Sequence, residues 1–191
     1  MKKQFKMVIA AIAILLAAGT VANAQCKGAQ FGTAQHNFKK SDKLVEGTVS
    51  YSKTTGEDAV YSFNPTVGYF VTNRVAVGAF GQFGKDGEAK TTNFGAFARC
   101  YFLTIGKNLH TFSQVDIAAN STNTAGVKTN STSANLGLGV NYFVSSKLAL
   151  TMNVANLISY EGADGASTTT IGFTGIDNPF STAKFGVLYK F

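Results

Sequence analysis

Four charged residues lie within stretches of alternating apolar and small polar residues: Glu46, Arg99, Asp116 and Lys184. Each falls on the same face of its stretch as Gly, Ser, Thr or Asn, and Lys190 does so near the end of the chain. Opposite charges in a confined interior are expected to pair, because an unpaired buried charge is costly. Pairs of Glu46 with Lys184 and of Arg99 with Asp116 could form a gate of exchangeable salt bridges or a fixed structural plug.

Residue types suited to catalysis do not come together at a useful spacing. His110 and Asp116 share one predicted face with Gln114, whereas Ser113 points to the opposite face. Nucleophilic catalysis needs a nucleophile and a base within hydrogen-bonding reach of each other. We therefore predict no enzymatic activity and no cofactor.

Cys26 and Cys100 are the two cysteines of the chain. In an oxidising compartment they could form a disulfide. The alternative is two unpaired thiols, with Cys100 a small residue on the outer face. Two cysteines do not make a metal site.

The stretches that carry the charges have the period of β-strands. After residue 24, apolar residues recur at every second position, and helical spacing is absent. Most stretches reach the ~9–11 residues that a tilted strand needs to cross a bilayer. The pattern predicts eight strands at Leu44–Lys53, Asp58–Phe70, Val75–Phe83, Thr91–Phe102, Leu109–Asn120, Ser131–Phe143, Leu148–Tyr160 and Phe180–Phe191.

The two faces of these strands predict a barrel with its apolar side outward. In the sixth strand Leu136, Leu138 and Val140 alternate with Gly and Asn. Small polar residues suit a narrow lumen better than a wet exterior. Charged residues make up only 14% of the chain, below the ~25% usual for soluble domains. A soluble calyx for an apolar ligand is the alternative, and it would need the apolar faces inside.

The dipeptide Tyr-Phe recurs at one end of every second strand, as Tyr69-Phe70, Tyr101-Phe102 and Tyr142-Phe143. Interfacial aromatics form girdles where barrels meet the membrane surface. The alternation in the fourth strand sends Tyr101 inward, and a bulge or the longer following turn could absorb that shift. The predicted interface aromatics are Tyr69, Phe70, Tyr101, Phe102, Tyr142, Phe143, Tyr189 and Phe191.

The connections between strands alternate in length. Those at 71–74, 103–108 and 144–147 are short, whereas those at 84–90, 121–130 and 161–179 are longer, and 54–57 is brief. Short periplasmic turns and longer extracellular loops are typical of outer-membrane barrels.

The first 24 residues read as a cleaved export signal. A basic start is followed by the apolar run Met7–Ala18 and the small-x-small site Ala22-Asn23-Ala24. Residues 25–43 are predicted to be a flexible periplasmic segment and 44–191 the barrel. The formal net charge of +7 includes three lysines of this signal, and export argues against a nucleic-acid partner.

Residues 44–191 resemble the small outer-membrane barrels, the family of the outer-membrane protein A transmembrane domain and OmpX. The resemblance rests on the export signal, the eight alternating strands, the alternation of short and long connections, and the last strand, which ends in Phe191. It implies an all-β, eight-stranded antiparallel up-and-down transmembrane barrel in the outer membrane of a Gram-negative bacterium, in contact with outer-membrane lipid and lipopolysaccharide. It also implies recognition of the terminal strand by the barrel assembly machinery, whereas no peptidoglycan-binding domain and hence no cell-wall anchoring is expected.

The expected function is structural: envelope integrity and the display of surface loops, whose extracellular partner the sequence does not name. The alternatives are a narrow, low-conductance channel that uses Glu46, Arg99, Asp116 and Lys184, and a barrel enzyme that modifies lipid A. Architecture alone does not choose among them.

Overall fold

The computed structural model describes residues 26, 28–33, 37–52, 60–87, 89–163, 166–174 and 184–191. The predicted signal peptide, 1–24, lies outside these ranges. Within them no helix is long and apolar enough to cross a membrane. The strands are β1 (Ala29–Phe31), β2 (Lys43–Ser52), β3 (Val60–Phe70), β4 (Val75–Asp86), β5 (Ala89–Ile105), β6 (Leu109–Thr124), β7 (Val127–Phe143), β8 (Leu148–Ala163), β9 (Ala166–Thr174) and β10 (Lys184–Lys190).

Eight of these strands close into an antiparallel barrel. Each of β2 to β8 pairs with the next in sequence, and β10 closes the circle between β8 and β2. The predicted up-and-down fold is therefore confirmed. Closure removes the unpaired edges that an open sheet would expose.

Two short strands supplement the barrel. β1 pairs in parallel with the end of β5, where Ala29 lies opposite Leu103. β9 pairs with the far half of β8, from Asn156 to Ala163, whereas β10 pairs with its near half. Of the predicted final strand, 180–191, residues 180–183 lie outside the described ranges, and Lys184–Lys190 form β10.

The predicted longer loops are largely strand. At 121–130 the sequence forms the tips of β6 and β7, and only Ala125 and Gly126 separate them. Both residues have positive φ, as a type I′ turn requires, and Asn123 Oδ1 accepts a hydrogen bond from the Gly126 amide. The expectation of open loops at 84–90 and 121–130 is therefore wrong. Cross-strand pairing continues to the tips of both hairpins.

The two ends of the barrel are named after what they carry. The leader end holds residues 37–42 and the tight connections at 71–74, 106–108 and 144–147. The hairpin end holds the β4–β5, β6–β7 and β8–β9 hairpins.

The outer surface is apolar between two belts of exposed aromatic side chains. Along β3, Tyr61 and Tyr69 are both exposed and lie eight residues apart. At ~3.3 Å per residue and a tilt of about 40°, they are about 20 Å apart along the barrel axis. The belt at the leader end comprises Tyr69, Tyr142, Tyr189 and Phe191, and the belt at the hairpin end comprises Tyr51, Tyr61, Phe83, Phe94 and Tyr160.

Candidate functional site

A buried ion pair crosses the lumen from β5 to β2. Arg99 donates from Nη1 to Glu46 Oε2 at 2.8 Å and from Nη2 to Glu46 Oε1 at 3.0 Å. Its Nε donates to Gln114 Oε1 on the adjacent β6 at 2.9 Å. Arg99 is 1% exposed and Glu46 3%. The two-pronged geometry matches the planar guanidinium to the carboxylate, which favours a fixed arrangement over an exchangeable one.

A network of neutral hydrogen bonds continues from Arg99 towards the leader end. Tyr101 Oη lies 3.4 Å from Arg99 Nη1 and accepts a hydrogen bond of 2.9 Å from Asn141 Nδ2. Thr151 Oγ1 donates to Asn141 Oδ1 at 2.8 Å. The Arg99 guanidinium also lies 4.1 Å from the centre of the Phe112 ring. Buried polar groups here are therefore held on several sides, as a dry interior requires.

Aromatic rings fill the lumen between this network and the leader end. Phe38 enters from the segment that precedes β2 and is 4% exposed. Its ring centre lies 4.3 Å from that of Phe70, 4.4 Å from Tyr101 and 5.2 Å from Phe143. His110 packs edge-on against Phe143. We call Phe38, Phe70, Tyr101, Phe112 and Phe143 the aromatic plug.

The segment that carries Phe38 is tied to the rim of the barrel. Ser41 N donates to the Phe70 carbonyl at 2.9 Å, and Phe70 N donates to the Asp42 carbonyl at 2.8 Å. Lys190 Nζ lies 3.4 Å from Asp42 Oδ2 and donates to the Asn37 carbonyl at 2.7 Å. The described residues of the segment 25–43, which was predicted to be a flexible lead-in, therefore make specific contacts with the barrel rim.

A disulfide adds a covalent link between the start of this segment and the barrel. It joins Cys26 to Cys100 in β5, with the two Cα atoms 6.1 Å apart and 74 residues between them in sequence. Next to it, β1 adds three residues to the end of β5 that extends beyond β4.

The half of the lumen on the other side of the ion pair contains a polar cavity of about 170 Å³. Asp116 lies in its wall and accepts a hydrogen bond of 2.9 Å from Asn135 Nδ2. Asn64 and Asn93 each present a buried side-chain oxygen for which no described protein group is a donor. The amide side chains of the lining are Asn64, Gln82, Asn93, Gln114, Asn120, Asn135, Asn153 and Asn156.

The predicted charge pairs differ from the observed one. Arg99 lies opposite Gln114 in the β5–β6 register, whereas Asp116 lies opposite Phe97. Arg99 therefore reaches across the lumen to Glu46 rather than along the wall to Asp116. Lys184 pairs through its backbone with Asn153, and its side chain lies outside the described residues. Glu46 is paired without it.

The predicted interface aromatics divide between the two faces. Tyr69, Tyr142, Tyr189 and Phe191 are exposed, and Phe102 is half-buried. Phe70, Tyr101 and Phe143 are instead buried in the aromatic plug, so their assignment to the interface is wrong. Adjacent side chains in a strand point to opposite faces, so a Tyr-Phe pair cannot face outward as a unit. Of the two alternatives for the inward Tyr101, a bulge or the longer following turn, the structure shows an irregularity in the ladder, because the β5–β6 register shifts between Tyr101 and Leu103.

The described residues offer little for catalysis. His110 is 3% exposed, and its Nδ1 lies 3.2 Å from Thr104 Oγ1, within the packing of the aromatic plug. No group of three or more His, Cys, Asp or Glu side chains within the described ranges could hold a metal ion. The arrangement can close the lumen and fix its wall.

Two solved structures share this barrel. The N-terminal β-barrel domain of Pseudomonas aeruginosa OprF matches with a TM-score of 0.53 at 16% sequence identity, over 80% of this chain and 98% of that one. Neisserial surface protein A (NspA) matches with a TM-score of 0.52 at 17% identity, over 78% of this chain and 96% of that one. The sequence matches no protein-family model and no curated protein. The likeness establishes the fold, an eight-stranded barrel of the outer-membrane type.

Proposed function

We propose that this chain is a non-enzymatic, integral outer-membrane β-barrel that contributes to envelope integrity and presents its hairpins at the cell surface. One observation carries the proposal: the exterior is apolar between two aromatic belts. In a soluble protein, apolar exposure on this scale would favour aggregation. In a bilayer it is the surface that contacts the acyl chains, and the belts lie at the two interfaces.

The contents of the lumen favour a structural role over a channel. The Arg99–Glu46 pair closes the middle of the barrel, and the aromatic plug closes the leader end. Eight-stranded barrels are just wide enough for side chains to fill them. The lining of the cavity at the hairpin end includes Glu46 and Arg99 but no residue of the aromatic plug.

The last strand supports the proposal that the barrel assembly machinery binds this chain during assembly. In β10 the exposed Phe185, Val187 and Tyr189 alternate with the buried Leu188, and Phe191 follows. An apolar, alternating strand followed by Phe is a fitting signal for the barrel assembly machinery. Deleting Phe191 is expected to slow assembly in cells while leaving refolding in detergent unchanged.

Membrane fractionation combined with heat-modifiable gel mobility tests the location. The protein is expected in the outer-membrane fraction, and the unheated band should migrate differently from the boiled one. Recovery of a folded, detergent-free protein in the soluble fraction would contradict the proposal.

Planar-bilayer recording separates the structural barrel from the narrow channel. We expect no stepwise conductance from the wild-type protein or from Phe38→Ala, because each retains the ion pair. The same record from Arg99→Ala, which keeps the aromatic plug, is expected to be silent as well. Regular conductance steps from the wild-type barrel would favour the channel.

A further inference from the structure

Three lysines lie in one row on the outer surface at the hairpin end. The strand register places Lys85 of β4 opposite Lys90 of β5, Lys90 opposite Asn123 of β6, and Asn123 opposite Lys128 of β7. Directly opposed residues of neighbouring strands point to the same face of a sheet. All four side chains are exposed. We call these four residues the lysine row.

The continuation of the row shows that it faces outward. On β3, Tyr61 lies opposite Lys85, and on β2, Tyr51 lies opposite Tyr61. Both tyrosines belong to the exposed aromatic belt at the hairpin end. The lysine row therefore faces outward and starts beside that belt at Lys85. Because the strands tilt, the row rises towards the hairpin end from β4 to β7, and Lys128 lies farthest from the middle of the barrel.

The charges of the row are not balanced within the described protein. Like charges directly opposite each other on adjacent strands are destabilising, yet Lys85 and Lys90 occupy such a pair. The row contains no acidic residue, and none of its lysines forms an ion pair with another described residue. An external anion would relieve this repulsion.

The neighbouring residues determine where such an anion would be found. Two residues closer to the middle of the barrel, Phe83 and Phe63 form an exposed pair across β4 and β3. Phe94 is exposed one further step inward on β5. Lys85 and Lys90 thus lie just beyond the end of the apolar band, at the depth of lipid headgroups, and Lys128 lies farther out.

We propose that the lysine row binds the phosphate groups of a lipid headgroup in the leaflet at the hairpin end. Lys85 and Lys90 bind one phosphate, and Lys128 with the Asn123 amide binds a second. Two strand spacings of ~4.8 Å separate β5 from β7, so the row suits a headgroup with two phosphates about 10 Å apart. The strand tilt places the phosphate at Lys128 farther from the middle of the barrel than the phosphate at Lys85 and Lys90. The inference rests on the proposed membrane location and identifies the residues that contact lipid there.

A binding experiment with matched variants tests the row. The folded barrel in zwitterionic detergent is titrated with lipid A, a diphosphorylated glycolipid, and binding is followed by native mass spectrometry. The row variant is Lys85→Gln, Lys90→Gln, Lys128→Gln. The control variant removes three exposed lysines at the leader end and has the same net charge: Lys43→Gln, Lys107→Gln, Lys147→Gln.

Near a charged membrane surface each lysine contributes on the order of 1 kcal/mol. The row variant is therefore expected to bind lipid A roughly 100-fold more weakly than the wild type, whereas the control variant should bind within about threefold of it. Dephosphorylated lipid A should bind all three proteins equally weakly. Equal affinity of the row variant and the wild type would overturn the proposal.

Inorganic phosphate distinguishes a lipid site from a free-anion site. Millimolar phosphate is expected to leave lipid A binding within about twofold of its value without phosphate. Complete displacement would overturn the assignment to lipid and indicate a site for free phosphate. Heat-modifiable mobility and membrane fractionation of the row variant report separately on the barrel and its location. A row variant that folds and fractionates normally but binds lipid A unchanged would disprove lipid binding by the lysine row and leave the proposed membrane location standing.

Discussion

The two halves of the lumen contain different kinds of side chain and are filled to different degrees. At the leader end, aromatic rings fill the space, and a residue from outside the barrel, Phe38, completes the filling. At the hairpin end, amides line a cavity of about 170 Å³. The Arg99–Glu46 pair lies between the two halves.

The two linings therefore stabilise the wall to different degrees. In the filled half, hydrogen bonds link side chains of several strands, as those from Asn141 to Tyr101 and from Thr151 to Asn141 illustrate. In the open half, the hydrogen bonds join neighbouring strands, as Asn64 does with Thr48. Substitutions should therefore destabilise the barrel more in the filled half than in the open half.

Breaking the ion pair should have the largest effect. Glu46→Ala leaves the Arg99 guanidinium buried without its carboxylate, so we expect the free energy of unfolding to fall by about 3–5 kcal/mol. Urea titration in lipid vesicles, read by heat-modifiable gel mobility, measures the change. In the double variant Glu46→Leu, Arg99→Met no charge is left unpaired, so its loss should be smaller. A double variant less stable than Glu46→Ala would contradict this account.

Removing the ring of Phe38 tests whether the plug residue from outside the barrel contributes to stability. Phe38→Ala deletes a buried side chain that contacts four rings, so we expect a loss of about 3 kcal/mol in the same titration. Phe31→Ala is the matched control, because Phe31 lies in the same N-terminal segment and is 67% exposed. Its effect should stay within about 0.5 kcal/mol. Equal losses for the two variants would mean that Phe38 does not stabilise the barrel.

Sequence periodicity predicted the strands and their faces because both depend on local alternation. It placed Glu46 and Arg99 inside correctly, but it paired Arg99 with Asp116. That pairing assumed that inward charges on adjacent strands lie at the same height. Register and the width of the lumen decide the contact instead, and both depend on closure of the whole barrel.

Phe38 was missed for a related reason. It lies in a polar segment with a thin apolar pattern, so nothing local assigns it to the core. Its position is fixed by hydrogen bonds from the segment to the barrel rim, which form only after β3 and β10 are in place. The one available signal was a single Phe just before the first barrel strand.

Two glycines of β7 allow the filled and open halves of the lumen to be compared within one strand. A Cβ at Gly139 would meet the Phe112 ring and lie 2.9 Å from the Met152 carbonyl oxygen, whereas one at Gly137, beside the cavity, would lie 3.2 Å from its nearest atoms. We expect Gly139→Ala to lower the free energy of unfolding by about 1–3 kcal/mol. Gly137→Ala should lower it by less than about 1 kcal/mol. The reverse order in the urea titration would show that the filled half is not the tighter one.

The smallest expected effect comes from an asparagine of the open half. Asn64→Ala removes one hydrogen bond, to Thr48 Oγ1, and also removes a side-chain oxygen that has no described donor. The two changes oppose each other, so the net loss should stay below about 1 kcal/mol. Asn141→Ala removes two hydrogen bonds in the filled half and leaves the hydroxyls of Tyr101 and Thr151 buried without that partner. Its loss should exceed that of Asn64→Ala by at least about 1 kcal/mol, because a buried polar group without a partner carries its full desolvation cost. If both asparagines proved equally dispensable, the lumen would be uniform in energy despite its two kinds of lining.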